Sequence, residues 1–420
     1  MAFIRGTSLA DILVGSISRD IVFGLGGNDR LIGDAGDDSL FGDAGIDILE
    51  GGEGDDHLDA GDDGGSMFGG SGDDTLVAGD GDDLMNGGSG IDTADFGASS
   101  GVFADLRTGR ARFADEPEDR MISIENLGGS RERDTLHGDD GANDLRGQGG
   151  DDRLYGHGGD DALRGGSGDD VMSGGDGDDF LDGFRGDDFM RGGAGDDTFR
   201  GGSGEDTVSY SRAGVGVVVD LEAGTATGEG TDTLDGIENV NGSSRADVIT
   251  GDFGANEIRA GGGDDAIDAS GGDDLVFGST GDDTIDGGSG DDELFGGSGD
   301  DVIDGGGHDD VLSGNSGADA FVFVSAVIPT SPTPTDPTTS PSLPGGGYVA
   351  ILSRHDRITD FDLSEGDVID LSAHEAMEGF DDVLSGAVDV AGGVRIDMGF
   401  DSLVLEGITA SGLSEEMFVF

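Results

Sequence analysis

The sequence predicts an all-β protein: a parallel β-roll (a β-helix-like solenoid) in three blocks, with β excursions between them and a C-terminal β cap. Three observations predict it. A nine-residue unit recurs in three unbroken runs. Its seventh position is always apolar and its fifth is almost always Asp. Glycine punctuates it, supplying 88 of 420 residues. A period of nine matches neither the 3.6 of a helix nor the alternation of a long strand; it suits short strands and tight turns, repeated.

The first run starts at Thr7 (TSLADILVG, SISRDIVFG, LGGNDRLIG) and gives ten units to Phe96. The second gives nine from Ser130 to Tyr210, and the third nine from Ser243 to Phe323, 28 in all. Asp holds the fifth position in 25; the exceptions are Gly65, Asn143 and Asn256. Glycines at the first, third and ninth positions admit positive φ and close backbone approach. The turn they form can aim its carbonyls and the fifth-position Asp at one point. Three residues follow as a strand, such as Thr75-Leu76-Val77, with Leu76 inward and its neighbours outward. Two units make one coil, and the position-seven side chains stack into a thin core between two parallel sheets.

Coils stack about 4.8 Å apart. Fifth-position aspartates 18 residues apart, such as Asp56, Asp74 and Asp92, therefore line up along one edge. Two bare carboxylates at that spacing repel by about 3 kcal/mol at an effective dielectric near 20. Such a column calls for a divalent cation. Hard carboxylate and carbonyl oxygens at flexible spacing select calcium over magnesium, which demands tighter octahedral geometry. The stretch GGSGDDTLVAGDGDDLMNG (69–87) thus reads as a metal-binding ladder whose cation completes the fold.

These units resemble the RTX nonapeptide, glycine-glycine-x-glycine-x-aspartate-x-apolar-x, itself known as a calcium-binding β-helix repeat. The resemblance implies a parallel β-roll with calcium between turns, held by the Asp and by glycine-segment carbonyls of neighbouring coils. In the first block it maps to Asp29, Asp38, Asp47, Asp56, Asp74, Asp83 and Asp92, with Gly70, Gly72, Gly79, Gly81, Gly88 and Gly90. In the second it maps to Asp152, Asp161, Asp170, Asp179, Asp188, Asp197 and Asp206, with Gly166, Gly168, Gly175, Gly177, Gly193 and Gly195. In the third it maps to Asp265, Asp274, Asp283, Asp292, Asp301, Asp310 and Asp319, with Gly288, Gly290, Gly297 and Gly299. If each unit pairs with the unit two ahead, the upper bound is about 22 ions.

Departures from the pattern carry expectations of their own. Units at 7–24 lack the turn glycines and read as a cap with poor metal sites. Gly65 should leave a gap in the column of Asp47 and Asp83. His308 occupies a third-position glycine place and should distort its turn. Fourth-position acids such as Asp73 and Asp169 read as solvated carboxylates that raise local cation concentration.

The domain plan that follows is 1–96 (first roll with its cap), 97–129 (excursion), 130–210 (second roll), 211–242 (excursion), 243–323 (third roll), 324–350 (a Pro/Ser/Thr-rich loop) and 351–420 (C-terminal β domain). The excursions resemble each other, GVFADLRTGRARF with SIENLGGS against GVVVDLEAGTATG with GIENVNGS, and read as β segments that bridge or cap the rolls. The last segment, from DRITDFDLSEGDVIDLSA to LSEEMFVF, resembles the C-terminal domain of serralysin-type RTX proteins. That likeness implies an uncleaved signal for type I secretion machinery.

A formal charge of −71 argues against nucleic acid and anionic membrane as partners, and for cations. The absence of cysteine excludes disulfides and thiolate sites. The start, MAFIRGTSLADILVG, lacks the basic and apolar regions of a signal peptide, and no apolar run reaches membrane-spanning length. Enzyme motifs fail: HEAME (374–378) lacks the second His of a zincin, GASSG around Ser99 lacks strand–turn–helix context, and GLGGND (24–29) belongs to the repeat. His57 reads as solvated. With the repeats starting at Thr7, no catalytic domain is expected upstream of them. The expectation is a secreted, extracellular, non-enzymatic calcium-binding protein of structural, adhesive or matrix-associated use, with a cell-surface or polysaccharide partner compatible with it. The alternatives are an enzyme or lectin whose site lies in the excursions or C-terminal domain, and a passive calcium-binding scaffold.

Overall fold

The computed structural model describes residues 1–79, 81–97, 100–113, 118–323, 355–372, 377, 379–398 and 401–420. The proline-rich loop, Ser99 and most of HEAME lie outside these residues. The chain divides into two compact units, one of 1–210 with 224–239 and one of 211–223 with 240–420.

Both units are built as the period requires. Successive nonapeptides alternate between two parallel sheets, so each strand pairs with the one 18 residues ahead. Thr75, Leu76 and Val77 lie opposite Thr93, Ala94 and Asp95 in one sheet; Leu84, Met85 and Asn86 lie opposite Ser66, Met67 and Phe68 in the other. Position seven points between the sheets. Leu40, Leu49, Leu58, Met67 and Leu76 are fully buried, as are Leu136 to Val208 at the same position in the second block. Each such side chain contributes about 1.5–3 kcal/mol by leaving water. Leu13, in the first coil, is only half-buried.

Many strands run longer than the three residues expected. Val171–Asp176 and Phe189–Ala194 pair on through the turn, with Gly175 opposite Gly193. The turns sort the glycines by cause. Positions one and three are left-handed: Gly70 and Gly72 both have φ +121°, and Gly290 has +148°. Gly79, Gly141 and Gly254 are exceptions, with an ordinary φ. The coil imposes the left-handed state even without glycine, at Gln148 (φ +75°), Phe184 (+70°) and Ser279 (+82°), at a cost of about 1–2 kcal/mol each. His308, at φ +88°, takes the same conformation, so its turn carries backbone strain. The ninth position corrects the expectation of positive φ. Gly69 and Gly165 keep ordinary φ, and glycine fits there because a Cβ would overlap Oδ2 of Asp74 or Asp170.

Outward side chains also stack along the sheets. Phe23 stacks on Phe41 with centroids 4.9 Å apart, and the ring of His57 tilts against Phe41 at 5.7 Å. His57 is thereby half-buried, not solvated.

The first excursion is β structure inserted into one sheet. Val102–Asp105, Arg110–Phe113 and Glu118–Ile122 form an antiparallel meander. Its last strand pairs parallel with Leu84–Ser89 and its first with Thr135–His137. The opposite sheet passes directly from Thr93–Asp95 through Asn126–Gly128 to Asp144–Arg146. In the second excursion Thr225–Thr227 and Thr231–Asp235 form a hairpin whose second strand pairs with Thr198–Ser203.

The C-terminal region continues the third roll rather than standing beside it. His355–Ile358 and Val368–Asp370 add a strand to each sheet, next to Val311–Ser316 and Ala320–Val322. Asp401–Glu406 and Phe418–Val419 add the next pair. An antiparallel meander of Ala387–Val390, Gly393–Met398 and Asp401–Glu406 flanks this end. The helix Phe380–Gly386 was not expected; it buries Val383 and carries Asp381 and Asp382 in its first turn, where the helix dipole favours them.

Candidate metal centre

The fifth-position aspartates form columns, and each column is hydrogen-bonded. The amide of Asp56 donates to Oδ1 of Asp74 at 2.8 Å, and that of Asp74 to Oδ1 of Asp92 at 2.9 Å. The same bond links Asp152 to Asp170 and Asp170 to Asp188 at 2.8 Å, and Asp283 to Asp301 and Asp301 to Asp319 at 2.8 and 2.9 Å. Every coil thus grips the next through a carboxylate. The repulsion anticipated for bare carboxylates is partly offset by these amides.

One oxygen of each carboxylate is left over. Asp74, Asp92, Asp170, Asp188, Asp283 and Asp301 are at most 1% exposed, and the Oδ2 atom of each has no protein partner. The same holds for Oδ2 of Asp29, Asp38, Asp47, Asp56 and Asp83 in the first block. It holds for Asp152, Asp161, Asp179, Asp197 and Asp206 in the second, and for Asp265, Asp274, Asp292 and Asp319 in the third. Asp310 shares the geometry through its Oδ1, which accepts the amide of Asp292 at 3.0 Å. A buried, unpaired carboxylate oxygen is costly. Burial first, then neighbouring aspartates, push Asp74 to about 7, Asp152 to about 8 and Asp47 to about 6, against the opposing pull of the ladder amide.

The rungs that start a block are built differently. At Asp134 the Ser130 amide and hydroxyl donate to Oδ2 and Oδ1, at 2.5 and 3.1 Å. Ser243 does the same for Asp247 at 2.6 and 2.8 Å. Thr7 and Ser16 serve Asp11 and Asp20. Where donors satisfy the carboxylate, as at Asp20, the Ala2 amide and Ser16 hydroxyl hold it below the usual range. At Asp134 burial outweighs the Ser130 donors and pushes the carboxyl up.

At Gly65 the column loses its carboxylate, while the Gly65 amide still donates to Oδ1 of Asp83 at 2.7 Å. Asn143 and Asn256 keep the pattern without the charge, donating their amides to Asp161 and Asp274 at 2.8 and 2.7 Å. The fourth-position acids do more than sit in solvent. Exposed Asp73 accepts the amide of Ile91 at 2.8 Å, and Asp169 that of Asp187 at 3.0 Å. Position five reaches back one coil and position four reaches forward.

The glycine positions keep carbonyls of successive coils close. A Cβ at Gly72, Gly90, Gly168, Gly177, Gly195 or Gly299 would overlap the backbone of the coil before it. Gly70, Gly88, Gly166, Gly175, Gly193 and Gly297 are crowded in the same way, as are Gly79, Gly81, Gly288 and Gly290. Among the described residues, no three acidic or histidine side chains converge as a metal cluster. A cation in these columns would therefore draw its remaining donors from backbone carbonyls. Buried carboxylate oxygens and crowded carbonyls are a hard-oxygen set, which fits calcium.

Sequence reasoning missed the ends of the columns. Asp119 accepts the Asp83 amide at 2.9 Å, and Glu125 accepts that of Asp92 at 2.8 Å. Asp232 and Glu238 repeat this arrangement for Asp197 and Asp206, at 3.1 and 2.9 Å. Asp356 and Asp367 do so for Asp310 and Asp319, at 3.3 and 3.1 Å. The available signal was Asp-x-apolar without its glycines, as in Asp119-Arg120-Met121 and Asp367-Val368-Ile369.

The RTX calcium-binding nonapeptide repeat family matches the chain in overlapping segments spanning 5–94, 128–208 and 241–321. No curated protein matches it. Solved structures similar to it include the extracellular lipase LipA from Serratia marcescens, 15% identical, with a TM-score of 0.22. That match covers 69% of this chain but only 40% of the lipase. Another is a hyperactive, Ca2+-dependent, β-helical antifreeze protein from an Antarctic bacterium, 15% identical, with a TM-score of 0.17, covering 76% of this chain and 85% of that one. Likenesses this distant bear on neither activity nor ligand. The repeat matches extend over more than half of the sequence and coincide with the coils that carry the aspartate columns, and on that ground the chain belongs to the RTX calcium-binding nonapeptide repeat family.

Proposed function

We propose that this protein is secreted, remains open and exportable where calcium is scarce, and folds where it meets calcium outside the cell, for a structural, adhesive or matrix-associated use. The observation that carries the reading is the set of buried Oδ2 atoms left without protein partners along each column. A ligand that binds only the folded state supplies folding free energy. With a net charge of −71, the calcium-free chain repels itself, which favours the extended state. The ligands are the fifth-position aspartates and the turn carbonyls, and weak sites suited to millimolar external calcium are sufficient. The C-terminal residues 351–420 would serve the type I exporter, and the outward strand faces would meet a surface or polysaccharide partner. No helix among the described residues is long and apolar enough to cross a membrane.

Export is tested in a host carrying a type I exporter, with the full chain and with a form lacking 401–420. Accumulation of the full chain in the medium and retention of the truncated one is the expected result. Equal export of both removes the secretion reading.

A further inference from the structure

The columns end outside the repeats, and their ends are not equivalent. Both oxygens of Asp232 are engaged: its Oδ1 accepts the Asp197 amide, and its Oδ2 accepts the Tyr210 hydroxyl at 2.9 Å. Asp367 is closed as well, its Oδ2 accepting the Asp362 amide at 2.7 Å. Asp119 lacks such a closure. It is 0% exposed, and its Oδ2 has no protein partner.

In its hydrogen bonds to the coil before it Asp119 reproduces an interior rung. Its Oδ1 accepts the Asp83 amide at 2.9 Å, as Asp74 accepts that of Asp56 at 2.8 Å. The next amide, Arg120, donates to the Asp83 carbonyl at 2.8 Å, as Thr75 does to Asp56. Met121 then takes the inward place opposite Met85, 4% exposed. The separation in sequence is 36 residues instead of 18. The segment lies between the matched repeat blocks, which stop at 94 and resume at 128.

Asp83 depends on this neighbour. On its other side the column holds Gly65, which has no carboxylate. Among the described residues Asp119 is thus the one carboxylate adjacent to Asp83 in its column, and the unpaired Oδ2 atoms of both are buried.

We infer that Asp83 and Asp119 together form a further divalent-cation site at the junction of the first roll and the first excursion, and that the matching junction at Asp232 is closed by Tyr210 and holds none. The inference rests on the calcium-binding reading above. It makes the first excursion part of the metal ladder, so that the cation ties folding of the repeats to folding of the insertion.

The test is a calcium count by native mass spectrometry on the full chain refolded in calcium. Asp119→Asn keeps an oxygen for the Asp83 amide, and Asn already occupies fifth positions at 143 and 256. The expected result is one calcium fewer in Asp119→Asn and in Asp83→Asn, no further loss in the double variant, and an unchanged count in Asp232→Asn. If Asp119→Asn does not fold, Asp119→Ser or Asp83→Asn carries the count. Calcium uptake by the unaltered protein with no loss in these variants overturns the inference alone. No uptake by the unaltered protein overturns the functional reading itself.

Discussion

The amide of Asp56 is bonded to the carboxylate of Asp74, eighteen residues ahead, at 2.8 Å. One oxygen of the pair is thereby committed to the backbone, and the other is buried without a protein donor. This division gives the carboxylate a structural half and, on the proposed reading, a ligand half, and the two halves can be separated by mutation.

Asp170→Asn should separate them. It preserves an acceptor for the Asp152 amide, now at 2.8 Å, but removes the charge. The expected outcome is a folded chain with a raised calcium midpoint. Asp170→Ala also strands the Asp152 amide and should cost about 1–3 kcal/mol more. Denaturation of both variants in saturating calcium checks the difference.

Left-handed positions respond in opposite directions. Gly290→Ala forces a Cβ at φ +148° onto the backbone of Gly272 and should destabilise by at least about 2 kcal/mol. His308→Gly relieves a side chain held at φ +88° and should stabilise by about 1 kcal/mol. Urea midpoints in calcium give both signs.

In chelator, pH should act through the raised carboxylates. Burial lifts Asp74, Asp170 and Asp292 to about 7, and Asp152 to about 8, from an ordinary value of 3.8. A group whose folded value is raised contributes stability that is complete below the unfolded value and lost as pH rises through the folded one. The calcium-free fold should therefore gain β signal as pH falls from 8 toward 4. The calcium midpoint should shift to higher concentration over the same range, because protons compete for the same oxygens. Circular dichroism at fixed chelator, and then at fixed calcium, measures the two trends.

The fold was legible because two constraints share one period. Leu76 and its equivalents give the inward stripe, and Asp74 and its equivalents, eighteen residues apart, give the column. The excursions were legible only as β structure. Asp119 joins its column from 36 residues away and Glu125 from 33, so periodicity cannot reach them. Their partners are set by how the meander folds back on Leu84–Ser89, which is tertiary information. The amide-to-carboxylate bonds were hidden for another reason. Composition shows a surplus of acid but not which backbone N–H each carboxylate meets. For the same reason the exposed Asp73 read as solvated, although it accepts the Ile91 amide.

The central claim is that calcium completes this fold, and a calcium titration of the metal-stripped full chain, followed by far-UV circular dichroism beside a magnesium control, tests it most directly. The account predicts a cooperative coil-to-β transition with calcium and none with magnesium at the same concentrations. A β-rich spectrum already present in chelator at pH 8, or an equal transition with magnesium, would contradict it.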